Sequence, residues 1–203
     1  MKMTRKSAAR PYRKRLRAEQ EEETRLRITE AAVDLHGSVG PARTTISAVA
    51  ERAGVQRATV YRHFPDEEDL FAACSAHWAS LNPPPNPGAW AELDDPDERL
   101  RRALTELYPW YASVEQMLAN TSRDLPLVPA MRRAAEEFGR WYEVAGEALI
   151  RGRPERGARR RRAKAAIGHA LAFETWRSLV REQGLSDRDA VELMSGLVAA
   201  AGR

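Results

Sequence analysis

The chain has one cysteine, Cys74, in 203 residues, so no intrachain disulfide can brace it and its stability must come from packing, as in a reducing compartment. No apolar run approaches the roughly 18–20 residues of a membrane span. The N-terminus lacks the apolar segment of a secretory signal, so a cytoplasmic protein without membrane attachment is expected. Glycine-rich phosphate loops, a Ser-His-Asp order and paired-carboxylate spacings are all missing. No catalytic residue, cofactor or metal site is therefore expected, and the chain does not read as an enzyme. Lysine is scarce, at four of 33 basic residues. Acid is absent from the first 18 residues, which carry eight Lys or Arg.

The composition that remains, 43% hydrophobic and 31% charged, suits a globular chain rather than a disordered one. Its net charge of +4 is unevenly spread: with eight positive charges in residues 1–18, everything after them sums to −4. A second basic block, RGRPERGARRRRAK from Arg151 to Lys164, sets eight basic residues against Glu155 alone. A basic arm next to a folded domain attracts phosphate polymers by releasing their counterions, whereas the same arm alone would be a solvated tail.

Periodicity is helical throughout, which makes the fold all-α. Ile28, Ala31, Ala32 and Leu35 follow i, i+3, i+4, i+7 spacing and predict a first helix over about Glu21–His36, ended by Gly37 and Gly40-Pro41. Thr45 is the expected N-cap of a second helix that buries Ile46, Val49, Ala50 and Ala53 and stops at Gly54. RATVYRHF, residues 57–64, is the third. Asp66 caps a fourth over Glu67 to about Ser80. The proline stretch 82–88 reads as a loop. Beyond it, Asp95-Pro96 starts a helix through Tyr111, a shorter one follows over Val114–Ser122, and further helices are expected over Ala130–Ile150, Arg159–Gln183 and Asp187–Ala201. Wide apolar surfaces on the last two predict a helical partner outside the chain, as in an antiparallel four-helix dimer interface. Arg159–Arg162 opens a helix where positive charge is unfavourable and reads as a solvated or frayed end, with a second DNA contact as the alternative.

From Thr45 the sequence runs TISAVAERAGVQRATVYRHFPDEEDLF. Two short helices meet at Gly54, with a small residue, Ala50, before the turn and a branched one, Val60, after it, as a helix-turn-helix requires. Val60 and Phe64 anchor the second helix. Arg57, Thr59, Tyr61, Arg62 and His63 are left for its outer face and ends, which is the chemistry of a major-groove helix. Ala50-Glu-Arg-Ala-Gly-Val55, Thr59-Val-Tyr-Arg-His-Phe64 and Asp69-Leu70 resemble the DNA-binding domain of the tetracycline-repressor (TetR) family over roughly Arg25 to Phe71.

That resemblance implies a homodimer of about nine helices per subunit. It implies an N-terminal three-helix DNA-binding domain, a larger C-terminal ligand-binding and dimerisation domain, and release of a double-stranded DNA operator when an effector binds. The corresponding segments are a basic disordered arm, 1–20, a helix-turn-helix domain, 21–66, and a helical domain, 67–203. Carried over by position, Thr45, Ser47, Gln56, Arg57, Ala58, Thr59, Tyr61, Arg62 and His63 fall at DNA-contacting sites. Three positions depart from the family pattern: Glu67 stands where a phosphate-binding lysine is usual, Gln56 where a Ser-type cap is common, and His36 where phenylalanine is usual. Between Thr24 and Cys74, six basic residues face seven acids, so the arm is expected to supply much of the affinity.

For an effector, Tyr108, Trp110, Tyr111, Met117, Phe138, Trp141, Tyr142, Phe173 and Trp176 are candidate cavity residues, with Arg123, His169 and Glu174 as polar groups. Aromatics at helical spacing also build ordinary core. The set suits a small apolar or aromatic effector. Cys74 and His77, three apart, read as helix packing, since zinc wants three or four protein ligands. The alternative to a ligand-responsive repressor is a helical small-molecule-binding or interaction protein without a specific operator.

Overall fold

The structure, a computed structural model, describes residues 9–203. Among them are ten α-helices and no strand: α1 Ala9–Ser38, α2 Ile46–Ala53, α3 Arg57–His63, α4 Glu67–Leu81, α5 Pro87–Trp90, α6 Pro96–Asp124, α7 Arg132–Ile150, α8 Gly157–Leu171, α9 Phe173–Arg177 and α10 Asp187–Ala201. Short 3₁₀ turns at Pro41–Arg43 and Pro129–Met131 and a π-helical turn at Ser178–Glu182 link them. No helix among the described residues is long and apolar enough to cross a membrane.

Side-chain caps form at four helix starts, three of them expected and the fourth at Ser186. Thr45, Asp66, Asp95 and Ser186 each accept a backbone N–H from the first turn of α2, α4, α6 and α10, satisfying donors that a helix start leaves unpaired. Gly54 takes φ 66°, ψ 38°, and Val55 N–H donates to the Ala50 carbonyl at 2.9 Å, closing α2 with a 6→1 bond that a left-handed residue makes possible.

Four element boundaries differ from expectation. The stretch 82–88, expected to be loop, ends in the short helix α5, which Pro87 opens without needing an N–H and Asn86 caps by accepting the Gly88 N–H at 2.9 Å. Residues 1–8 of the arm lie outside the described residues, and from Ala9 the expected disordered arm is instead helix, continuous with α1. Pro11 falls in the first turn, where no N–H is required. Arg15–Glu19 and Arg17–Glu21 pair at i,i+4 with N–O distances of 3.4 and 3.3 Å, which supports a solvated helix. The two helices expected over 96–122 are one, because Pro109 lies on the exposed face of α6 and the carbonyl it leaves unbonded can turn to water. The helix expected over Arg159–Gln183 is broken at Ala172, whose ψ of 134° is extended.

The break at Ala172 has no local cause in proline or glycine; hydroxyls from α6 hold it. Tyr108 donates to the Ala170 carbonyl at 3.0 Å and Tyr111 to the Leu171 carbonyl at 2.5 Å, taking the place of the bonds an unbroken helix would make. His169 Nδ1 and Thr175 Oγ1, 3.1 Å apart, join the two sides of the break.

Two apolar cores result. Ile28, Ala32, Val49, Ala50, Val60 and Phe64 build the head, with Leu70 and Cys74 of α4 completing it. Trp90, Leu104, Leu107, Tyr108, Tyr111, Leu149, Ile167 and Trp176 are central to the body, into which α10 packs Ala190, Val191, Met194 and Val198. Trp78, at the other end of α4, packs on the body core, so α4 serves both.

Candidate nucleic-acid interface and cavity

Helix α3 is anchored by Val60, fully buried, and by Phe64, over whose ring the Arg25 guanidinium sits 4.0 Å from the centroid. Arg25 also donates to the His63 carbonyl at 2.6 Å, pinning the end of α3 to α1. Arg57, Ala58, Tyr61 and Arg62 are exposed, and Thr59 is half-buried. Gln56 begins the helix in extended conformation without a side-chain cap bond and is exposed, so its amide remains available. Thr45 and Ser47 are exposed at the start of α2. Thr45 Oγ1 accepts from Ala48 N–H at 3.1 Å, which leaves its proton for an outside acceptor.

His63 is placed differently from the rest. It is half-buried, and its Nε2 is enclosed without a partner. Burial, with Arg62 and Arg25 nearby, lowers its pKa, so it sits against the head as a neutral ring rather than projecting like its neighbours. Of the head's cations, Arg52 is paired with Asp34. Arg57 and Arg62 have no carboxylate partner among the described residues and face outward.

The body meets the head at the end of α6. Asn120 Nδ2 donates to the carbonyls of His36 and Gly37 at 3.1 and 2.8 Å, closing the C-terminus of α1. Asp124, buried, accepts from Ala42 N–H at 3.0 Å and from Arg123 Nε at 2.7 Å. The Arg123 hydrogen bond holds the Asp124 carboxyl below the usual carboxylate range. Gly40, at φ 96°, lies so close to these two side chains that a Cβ would collide with both. Sequence patterning does not single out Asn120 and Asp124, because their partners lie more than 80 residues away.

Beside this junction lies a cavity of about 550 Å³. Its walls are Val33 and His36 of α1, Phe71, Cys74 and Trp78 of α4, Met117, Leu118 and Thr121 of α6, Phe138, Trp141 and Tyr142 of α7, and Phe173. The structure thus brings together five of the expected cavity residues: Met117, Phe138, Trp141, Tyr142 and Phe173. Tyr108, Tyr111 and Trp176 are instead fully buried core, the tyrosines held by the carbonyls at the α8–α9 break. Trp110 packs between Trp78, Tyr111 and Phe138 behind the wall. Arg123 belongs to the junction, His169 is exposed on α8, and Glu174 lines a neighbouring groove with Glu143, Glu147 and Lys164.

Sequence patterning missed His36, Phe71 and Trp78 as wall residues because they reach the cavity from α1 and α4, which pack against the body only in the folded chain. His36 stacks on Phe71, with centroids 4.7 Å apart and planes 5° from parallel. Burial lowers its pKa to about 4 against the opposing charge of Asp124, so the ring is neutral near pH 7. Cys74 donates its S–H to the Thr29 carbonyl at 3.7 Å, and burial pushes the thiol up to about 12. No cluster of three or more His, Cys, Asp or Glu suited to a metal occurs among the described residues.

On the outer side, α8 and α10 pack together. α10 leaves Leu193, Gly196, Leu197 and Ala200 exposed, and α8 leaves Ala165 and Gly168. The run Arg159–Arg162 is largely exposed, as a solvated end, but helical rather than frayed, and Arg162 Nε donates to the Ala201 carbonyl of α10 at 3.2 Å.

Comparison with known proteins places these features in context. Residues 28–74 match the model for "Bacterial regulatory proteins, tetR family". The HTH-type transcriptional regulator TtgR of Pseudomonas putida is 44% identical over 55 residues, which is 27% of this chain and 26% of that protein. AcrR of Shigella flexneri is 39% identical over 51 residues, 25% of this chain and 24% of AcrR. These matches therefore span about a quarter of the curated relatives. Among solved structures, a TetR-family regulator from Mesorhizobium loti superposes with TM-score 0.62 at 20% identity, covering 89% of this chain and 96% of that one. NalD, the secondary repressor of the MexAB-OprM multidrug efflux pump in Pseudomonas aeruginosa, does so with TM-score 0.62 at 21% identity, covering 90% and 97%.

Proposed function

We propose that this chain, a member of the tetR family of bacterial transcriptional regulators, works as a homodimeric repressor that reads a palindromic operator and releases it when a small apolar or aromatic molecule enters the cavity. The observation that carries this reading is a single connected arrangement. An outward row of unpaired groups on α2 and α3 is joined through α1 to the end of α6, and the same stretch of α6 walls an aromatic cavity.

In the bound complex Arg57 reads a base edge, Thr59 and Tyr61 contact bases or backbone, and Thr45, Ser47, Gln56, Ala58 and Arg62 lie against the duplex. His63 acts by packing α3 onto α1. The exposed apolar residues of α10, set beside the small residues of α8, would bury against a second copy and hold two heads at a fixed separation. Site selection from random DNA with the full chain should enrich a palindrome whose half-sites lie about one helical turn apart. Arg57→Ala should cost about 1–3 kcal/mol and relax preference at one base position. Failure to enrich any site at low salt would remove the operator reading.

The basic N-terminal segment contributes attraction more than specificity. Its described part is helical and directs Arg13, Lys14, Arg15 and Arg17 into solvent, beside a head whose own acids outnumber its bases. Removal of residues 1–18 is expected to weaken operator binding and flatten its salt dependence while leaving sequence preference intact, because phosphate neutralisation sets the salt slope. Equal binding of full-length and shortened protein across a salt titration would contradict it.

A further inference from the structure

The second basic block, Arg151–Lys164, has no part in operator reading, and it lies at the end of the body away from the head. Between the two places runs α6, 29 residues long, a span of roughly 40 Å at about 1.5 Å per residue. Asn120 and Asp124 near its C-terminus hold the head, whereas Pro96 and Asp97 at its start hold Arg153. We propose that the arginine surface of this block binds the phosphate backbone of a second DNA duplex, so that one molecule holds two DNA segments together.

Positive charge at this surface is unmatched. Elsewhere on the body Arg102, Arg133, Arg140, Arg177, Arg181 and Arg188 pair with glutamates. Arg151, Arg156, Arg159, Arg160 and Arg162 have no carboxylate partner among the described residues. Glu155, the block's own acid, turns toward Gly202, with its Oε2 enclosed and unbonded. Glu147 of α7 is held by Lys164 at 2.5 Å. At the start of α6, Asp97 pairs with the buried Arg153 at 2.9 Å, and Asp95 accepts the N–H groups of Asp97 and Glu98. Arg161 stands one turn before Ala165, on the stripe that a second copy would cover, and is left out of the surface.

What this surface lacks narrows its partner to duplex DNA. Among the described residues no exposed large hydrophobic falls between Val144 and Leu193, so the apolar and aromatic anchors of a protein interface are missing. No Phe, Tyr or Trp falls between Tyr142 and Phe173, so the bases of a single strand have no such ring there to stack on. Closely set guanidinium groups suit phosphate oxygens, which they bind through paired hydrogen bonds, and a duplex presents phosphates along its whole length. The arginines also open α8, where positive charge is unfavourable unless an anion is close.

Arginine labelling of the full chain with phenylglyoxal, read by mass spectrometry, tests this against a mixed-sequence duplex of about 24 base pairs at about 0.1 M salt. Arg156, Arg159 and Arg160 should lose reactivity by at least about threefold when the duplex is added, because phosphate contacts cover their guanidinium groups. Polyglutamate should not protect them. Protection of Arg57 and Arg62 alone overturns the second site and leaves the operator reading standing, whereas protection of none of the five overturns both. Stronger protection by polyglutamate than by the duplex overturns the DNA assignment in favour of an acidic polypeptide. In a second measurement, beads bearing one duplex capture the protein and then a labelled second duplex. The double variant Arg159→Gln, Arg160→Gln, at side chains without a hydrogen bond or ion pair, should keep its melting temperature. Its retention of the second duplex, per protein captured, should fall to less than about a third. Equal retention by the native sequence and the variant overturns the proposal.

Discussion

Arg99→Met is expected to destabilise the protein by about 3–5 kcal/mol, the scale at which a buried charged group leaves its partners unsatisfied. Arg99 is 3% exposed. Its Nε donates to the Leu93 carbonyl at 2.9 Å, and its two terminal nitrogens reach the carbonyls of Ala148 at 2.9 Å, Arg151 at 2.7 Å, Leu93 at 2.5 Å and Asp94 at 3.3 Å. The guanidinium therefore closes the C-terminal end of α7 and the turn leading into α6 together. Cations suit that end of a helix because its last carbonyls have no internal partner. Methionine keeps much of the side chain's bulk but no donor, so the four carbonyls would lose these bonds. Lysine should recover only part, since three donors from one point cannot reproduce a planar fork. Urea unfolding at fixed protein concentration measures the loss. In a domain of this size about 2–4 °C of melting temperature accompanies each kcal/mol, so a drop of roughly 10 °C is expected and a change under 2 °C would refute the assignment.

The role of Arg99 could not be read from the sequence, whereas the head could be read almost whole, and the two cases differ in range. Caps at Thr45 and Asp66 and the turn at Gly54 depend on atoms within five residues, so residue type at a fixed offset is enough to find them. Arg99 reaches carbonyls 49 and 52 residues away, and carbonyls carry no sequence signal because every residue has one. The break at Ala172 is the same problem in another form. It depends on two tyrosine hydroxyls arriving from α6, whereas the local pattern across Ala170–Trp176 is continuous with helix.

The cavity was half legible for a related reason. Aromatic spacing on α7 picked out Phe138, Trp141 and Tyr142, but the same spacing on α6 picked out Tyr108 and Tyr111, which are core. Periodicity identifies the inward face of a helix and does not say whether another helix or a void lies opposite. The wall supplied by His36, Phe71 and Trp78 follows from the packing of α1 and α4 against the body, a tertiary fact. His36 alone left a trace, as the histidine standing where the family resemblance expects phenylalanine.

That histidine should make the fold acid-sensitive. Unfolded, an imidazole titrates near 6.5; in the native structure burial holds His36 at about 4, with Asp124 acting in the opposite direction. Between these values the unfolded chain binds the proton and the folded chain does not. Stability is therefore complete above pH 6.5 and declines as pH falls, by about 2 kcal/mol at pH 5 and about 3 kcal/mol as pH 4 is approached. His63, whose pKa is also lowered, acts in the same sense, so the test is a difference between variants. His36→Phe keeps a flat ring to stack on Phe71 and leaves the backbone carbonyl that Asn120 holds, while removing the titrating group. Denaturant unfolding at pH 7 and pH 5 should show a steeper loss for the native sequence than for His36→Phe; parallel losses would refute the role of His36.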